Sequence, residues 1–304
     1  MPVSTLNSRY LRVMKVSGFS FIKNAVRFGY PVIESIRSVL PLCDEFVIAV
    51  GDCSDGTREL IEGIADPRIK IIDTVWDESL RTGGKVLAAE TDKAFKQIAA
   101  DSDWAFYIQG DEVLHEKYID PVREAMLKYK DQKKVDGLLF RYLHFWGSFD
   151  YTGDSSRWYR NEIRVIRNDK TIYSYRDAQG FRKGDNQKLN VKPVDAFIYH
   201  YGWVREPRAM QNKAMGVGKY WSEEGYDEKK VVFDKNEFDY GQIDVLRKFT
   251  GSHPAVMQDR IARKNWQFDY DISKNKIKLK DRFKNGLEKL TGKRFFDYKN
   301  YHII

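Results

Sequence analysis

The first 130 residues alternate short β-branched or apolar runs with longer stretches of helical periodicity, and few architectures accept that rhythm. "LRVMKVSGF" reads as a first strand. After Pro31, "VIESIRSVL" places Val32, Ile33, Ile36, Val39 and Leu40 on one helical face. "FVIAV" (46–50) is a second strand, followed by a helix over 58–64, a third strand in "RIKIID", a long helix over 84–100 and a fourth strand in "WAFYI" (104–108). Another amphipathic helix covers 118–129. Right-handed crossovers make such a series a mostly parallel, Rossmann-like α/β sheet with helices on both faces. Ligands of such sheets collect outside the carboxyl ends of the strands.

Beyond residue 130 the pattern changes. "VDGLLFRYLHFWGSF", "RWYRNEIRVIRND" and "DAFIYHYGWV" are β-rich and aromatic with little helical pattern between them, which predicts antiparallel strands that extend the sheet and cover its crevice. Glu206-Pro207 is the expected boundary. It separates a domain over 1–206, with one half to about residue 117 and a second over 118–206, from a mainly helical, basic C-terminal extension over 207–304.

Composition narrows the partners. Lys plus Arg exceed Asp plus Glu by 52 to 44, a net charge of +8, which suits an anionic ligand. The excess gathers in residues 274–299 and no nucleic-acid motif is present, so a nucleic-acid partner is not expected. Cys43 and Cys53 have no metal-ligand spacing and favour a reducing, cytoplasmic setting. No run approaches the ~18 apolar residues of a membrane span, which predicts a soluble or peripheral protein. In the tail, "DRFKNGLEKL" puts Phe283, Leu287 and Leu290 on one face amid Lys and Arg; this helix either docks on the catalytic domain or makes a peripheral contact with an anionic membrane.

Two carboxylate-rich turns leave predicted strands at the ligand-binding end. "GDCSDGT" offers Asp52 and Asp55, suited to a nucleotide base or ribose, or to an ordinary strand-to-helix turn capped by Thr57. "QGDEVLHE" delivers Asp111 and Glu112 to a strand tip, where carboxylate oxygens suit a hard cation that also holds phosphates; the alternative is a solvated acidic loop. Gly110 would let the backbone pass close to a ligand, and His115 is expected on a helix surface. Between the turns, "LRTGGKVLAAE" flanks two glycines with Arg81 and Lys85, which could present cations and backbone N–H groups to a pyrophosphate. Asp177 in "YSYRDAQGFRKGD" is a candidate general base, with Asp154, Glu162 and Asp185 as rivals. His200 lies in a short β run ending in Gly-Trp and is the best placed of five histidines to be a metal or phosphate ligand, with Arg205 and Lys213 as nearby cations.

In order and spacing these motifs resemble the family 2-like glycosyltransferases of bacterial type, over about residues 13–213. The resemblance implies a GT-A fold and transfer of a sugar from a UDP- or GDP-linked nucleotide-sugar donor to a glycan or lipid-linked acceptor, as in cell-surface polysaccharide biosynthesis. "VSGFSFIKNA" is similar to the family's first loop, which implies Ser17, Phe19 and Asn24 near the base, and "GDCSDGT" implies that Asp52 contacts it. "QGD" stands where D-x-D is expected, so Gln109 replaces the acid that contacts ribose and Asp111 keeps the one that binds Mn2+ or Mg2+. Glu112 is then an acceptor-side candidate. "RDAQGF" resembles the segment carrying the base of inverting members, which favours Asp177, and "HYGWVREPRAMQNK" resembles a block that gives His200 a metal or pyrophosphate contact. A nucleotidyltransferase is the enzymatic alternative, which would want a Gly-rich loop after strand one; a basic nucleic-acid-binding protein is the non-enzymatic one.

Overall fold

The computed structural model describes residues 14–80, 82–155, 158–218, 220, 237–241, 243, 245–276, 282–284 and 299–304. Its first half follows the expected order: β1 (Val16–Ile22), α1 (Val32–Val39), β2 (Glu45–Gly51), α2 (Thr57–Glu62), β3 (Ile69–Thr74), α3 (Lys85–Lys96) and β4 (Trp104–Tyr107). A short strand β5 (Glu112–Leu114) and helix α4 (Ile119–Tyr129) come next. α3 stops short of residue 100 because the backbone there is claimed from outside: the Ala99 N–H donates to Glu45 Oε1, and the carbonyls of Ala99 and Ala100 accept from Asn168 Nδ2.

β3, β2, β1 and β4 run parallel in that spatial order. Their side chains alternate between two cores. Phe46, Ile48 and Val50 of β2 pack with α1, while Val47 and Ala49 pack with α3, so helices cover both faces. The buried Phe, Ile and Val side chains among these each contribute about 1.5–3 kcal/mol.

The second half is β-rich as expected, with β6 (Gly137–Trp146), β7 (Tyr151–Gly153), β8 (Asn161–Arg167), β9 (Ile172–Tyr175), β10 (Gly180–Lys183) and β11 (Gln187–Trp203). β8 pairs antiparallel with β4 and with β6, and β11 then pairs parallel with β6 and antiparallel with β5, so the sheet continues as a mixed one. After residue 206 come α5 (Pro207–Gly218) and the short α6 (Gln258–Ala262), with single helical turns at Ala255–Met257, Ile272–Lys274 and 282–284. β12 (Leu246–Lys248) joins β7, and β13 (Tyr301–Ile303) adds to β11, a strand that the sequence pattern had not announced. Most of the expected tail helix, including Leu287 and Leu290, lies outside the described residues. No helix among those described is long and apolar enough to cross a membrane.

This topology positions a crevice. The chain builds outward from β1 to β2 and β3, then crosses back to place β4 on the other flank of β1. The connections leaving the carboxyl ends of β1 and β4 therefore diverge, and the gap between them is where such sheets bind ligands.

Candidate active site

The crevice is a cavity of about 820 Å³. Ile22, Lys23 and Asn24 reach it from the end of β1, and Gln109, Gly110 and Asp111 from the end of β4. β6 and β11 contribute His144, His200 and Trp203, and α5 contributes Met210, Lys213 and Val217. The turn after β4 is clamped from outside the cavity: Ser35 Oγ of α1 donates to the Gln109 carbonyl at 2.8 Å, and the Tyr201 N–H donates to the Asp111 carbonyl at 2.8 Å. Gly110 does allow a close approach, but to protein: a Cβ there would sit 2.7 Å from Ile22 Cδ1.

Asp111 is the centre of charge. Its Oδ2 accepts from Lys213 Nζ at 3.1 Å, its Oδ1 lies 3.8 Å from His200 Nε2, and the residue is 8% exposed. Burial alone would raise the Asp111 carboxyl, but the Lys213 and Arg205 charges outweigh it and hold the group well below the usual carboxylate range. Burial and the Arg205 charge bring the Lys213 ammonium down to about 8 despite its carboxylate partner. Burial also lowers His200, which favours the neutral ring. Gly202 makes room for this group. A Cβ at that position would lie 2.5 Å from His200 Nε2 and 2.9 Å from Asp111 Oδ2.

That cradle fits a divalent cation. A carboxylate and an imidazole nitrogen converge on one space that only a glycine leaves free; the carboxylate suits Mn2+ or Mg2+, and the imidazole is a donor for first-row transition ions rather than for Mg2+. Among the described residues no third His, Cys, Asp or Glu joins them, so further positions would fall to phosphate oxygens and water.

Glu112 is not acceptor-side. Its carboxylate is fully buried behind the turn and accepts from Arg164 Nε at 2.8 Å, Arg164 Nη2 at 2.7 Å, Tyr142 Oη at 2.8 Å and the Gln109 N–H at 3.1 Å. Its oxygens are spent on a bidentate ion pair. Arg164 in turn donates to the carbonyl of Gln179 at 2.9 Å, and Gln109 Nε2 donates to that of Ala178 at 3.1 Å. Both ties fix the loop between β9 and β10.

That loop carries Asp177 to the cavity wall, between two residues in the left-handed region, Arg176 at φ 56° and Ala178 at φ 62°. Its rivals sit elsewhere: Asp154 is engaged by Arg160 and Arg247, Glu162 is buried, and Asp185 is exposed in the turn after β10. None of the three lines the cavity.

On the side of β1, Asn24 lines the cavity in a left-handed conformation at φ 55°. Asp52 lies just outside, in an adjoining depression of about 250 Å³, and is joined to the cavity through Lys23 Nζ at 2.7 Å and the Trp76 N–H at 3.3 Å. Ser17 and Phe19 do not belong to it. Ser17 hydrogen-bonds Glu45 and Ser102 at the opposite end of β1, and Phe19 is wholly buried against Phe95 and Tyr107. Lys85 is exposed at the start of α3 and does not line the cavity, and Arg81 lies outside the described residues. His115 is buried, not on a helix surface: its Nε2 bonds Ser252 at 2.9 Å.

Several lining residues carried no sequence signal of their own. Trp76, whose buried Nε1 has no hydrogen-bond partner among the described residues, follows the end of β3 and was discoverable only through the strand-end rule. Lys23 ends β1 in the same way. His144, Trp158 and Tyr159 gather from β6 and the segment before β8, which no local pattern connects.

Neither a protein-family model nor a curated protein matches the sequence. Among solved structures, S. aureus TarS is similar at 12% identity and a TM-score of 0.36, over 71% of this chain and 41% of that one. Glucosyl-3-phosphoglycerate synthase from Mycobacterium tuberculosis, in complex with Mn2+, uridine diphosphate and phosphoglyceric acid, is similar at 12% identity and a TM-score of 0.28, over 43% of each chain. The galactosyltransferase LgtC, in complex with donor and acceptor sugar analogues, is similar at 14% identity and a TM-score of 0.29, over 42% of this chain and 46% of that one. The chain thus spans less than half the length of each of these three, and likenesses of this size leave the chemistry to the residues themselves.

Proposed function

We propose that the protein is an inverting glycosyltransferase that moves a sugar from a nucleoside diphosphate to a hydroxyl acceptor, a glycan or a lipid-linked one. The observation that carries this reading is the convergence of Asp111, His200 and Lys213 in one deep cavity at the divergence of β1 and β4. A site that combines a carboxylate able to hold a cation with a buried ammonium is suited to a diphosphate, an anion that must be both gripped and neutralised as it leaves.

Each lining residue then has a role. Asn24, Lys23 and Trp76, backed by Asp52, receive the base and ribose of a UDP- or GDP-linked donor, and Gln109 offers an amide where a carboxylate would otherwise stand. Asp111 and His200 would hold Mn2+, which when bound neutralises charge on the diphosphate. Lys213 adds its ammonium on the α5 side. Asp177, on the cavity wall, takes the proton of the attacking hydroxyl as the bond to the leaving phosphate lengthens on the opposite face of the sugar. Backbone strain at Arg176 and Ala178 supports this role, since left-handed non-glycine residues persist where surrounding bonds over-determine them.

The test is Asp111→Ala. Divalent-metal-dependent binding of UDP or GDP sugars and turnover should both be lost, with a fall in rate of at least about a hundredfold. Unchanged metal-dependent binding and turnover in that variant would remove the assignment.

A further inference from the structure

The hydrogen bonds around His200 determine which of its nitrogens carries a proton, and His144 decides the matter. His144 Nε2 lies 2.7 Å from the carbonyl oxygen of Tyr159. That oxygen can only accept, so the proton is on His144 Nε2. The His144 ring sits between the rings of Tyr142 and Trp158, stacked at 5.5 and 5.0 Å, with Tyr159 edge-on at 4.4 Å. This apolar box favours an uncharged imidazole, and a neutral ring with Nε2–H has a bare Nδ1.

The bare Nδ1 of His144 faces His200 Nδ1 at 3.1 Å. Only one proton fits between two nitrogens at that distance, and it must belong to His200. A neutral His200 protonated at Nδ1 exposes a lone pair at Nε2, the atom 3.8 Å from Asp111 Oδ1. Imidazole and carboxylate therefore face each other as two acceptors. They repel unless a cation lies between or beside them, and in this structure the Lys213 ammonium is on the carboxylate at 3.1 Å.

We propose that His144 is a positioning residue: anchored by the Tyr159 carbonyl, it holds His200 in the Nδ1–H tautomer and so keeps an Nε2 lone pair directed at the space beside Asp111. The inference gives a source of ligand strength to the cation site proposed above, and it rests on that reading for its consequence. Residues 144 and 200 are cross-strand partners of β6 and β11, so the relay is built into the sheet register. Ligand histidines usually donate their second nitrogen to a carboxylate, carbonyl or water; here a second imidazole takes that place and passes the preference on from a backbone carbonyl.

Full-length, metal-free protein labelled with 15N in its five histidines reports the tautomers directly by long-range proton–nitrogen correlation, with His200 assigned by its loss in His200→Gln. The wild type should show His200 protonated at Nδ1 and bare at Nε2. His144→Phe keeps the ring volume but removes the acceptor, and should shift His200 toward the Nε2–H form. His144→Asn places an amide oxygen near the position of Nδ1 and should restore the wild-type pattern. Mn2+ titrated into the same three proteins and followed by electron paramagnetic resonance should bind about tenfold more weakly to His144→Phe, with recovery in His144→Asn. A wild-type His200 in the Nε2–H form, or a His200 tautomer indifferent to His144→Phe, overturns the proposal. Expected tautomers with no Mn2+ binding in the wild type would uphold the relay and instead sink the cation site on which its consequence rests.

Discussion

Gly202 is the residue on which the site's openness turns. Its missing Cβ is what leaves Asp111 Oδ2 and His200 Nε2 facing common space, because a methyl group there would come within 2.9 and 2.5 Å of them. Gly202→Ala should therefore abolish Mn2+ binding by calorimetry while leaving the far-ultraviolet circular dichroism unchanged; metal affinity equal to wild type would show that the cradle is not the cation site. Glu162 offers a test of the interior. Burial, reinforced by the charges of Glu112 and Asp177 against that of Arg164, pushes its carboxyl from 4.5 up to about 8, and its Oε2 has no hydrogen-bond partner among the described residues. The native state then binds more protons than the unfolded chain between those pH values, so this group's contribution to stability falls as pH rises from about 4.5 to about 8. Asp92, raised to about 6, acts in the same sense, so the comparison must be with a variant. Glu162→Gln should gain on the wild type between pH 5 and pH 8 by more than about 1.4 kcal/mol in urea unfolding, the worth of one pKa unit. A difference independent of pH would mean that Glu162 is already ionised at pH 5.

At the scale of elements, what was legible in the sequence was the part set by local pattern. Alternating strands and amphipathic helices announced β1 to β4 with α1 and α3; strand-end logic led to Asp111 and the resemblance of "VSGFSFIKNA" to Asn24, both on the cavity wall. The role of Glu112 was not legible, since its partner Arg164 lies 52 residues on, in β8, a strand that slots between β4 and β6. Ser17 and Phe19 were misplaced because the resemblance set all of "VSGFSFIKNA" in a ligand-binding loop, whereas β1 runs on to Ile22 and buries both residues inside the sheet. The Glu112–Arg164 pair links three segments at once, holding the turn after β4, strand β8 and the loop bearing Asp177. Removing one partner leaves the other charge buried, so Glu112→Leu and Arg164→Met should each cost about 3–5 kcal/mol. The double variant Glu112→Leu/Arg164→Met should cost well under their sum, because no charge is stranded. Urea midpoints provide the cycle, and strictly additive losses would show that the two side chains act independently.

For the molecule as a whole, the mixed sheet sets two chemistries against each other across one cavity. The parallel half ends in Lys23, Asn24, Gln109 and Asp111, while the second half and α5 supply His200, Lys213, Asp177 and a cluster of aromatic rings. A ligand that bridges both should therefore couple their stabilities, and its effect should depend on the charge it brings. The measurable form is thermal unfolding with UDP, GDP and their sugars, each with and without Mn2+. A ligand at a hundredfold over its Kd stabilises the native state by about 2.7 kcal/mol, a rise of a few degrees for a chain of this size. The rise should be larger with Mn2+ present than without it, because the metal adds attraction between Asp111 and the diphosphate that the +8 net charge alone does not supply. Asp111→Ala should erase the Mn2+ increment and keep a residual shift from base contacts at Lys23 and Trp76. Equal shifts with inorganic pyrophosphate and with every nucleotide would mean that the cavity reads charge alone, and the donor-binding reading would then be wrong.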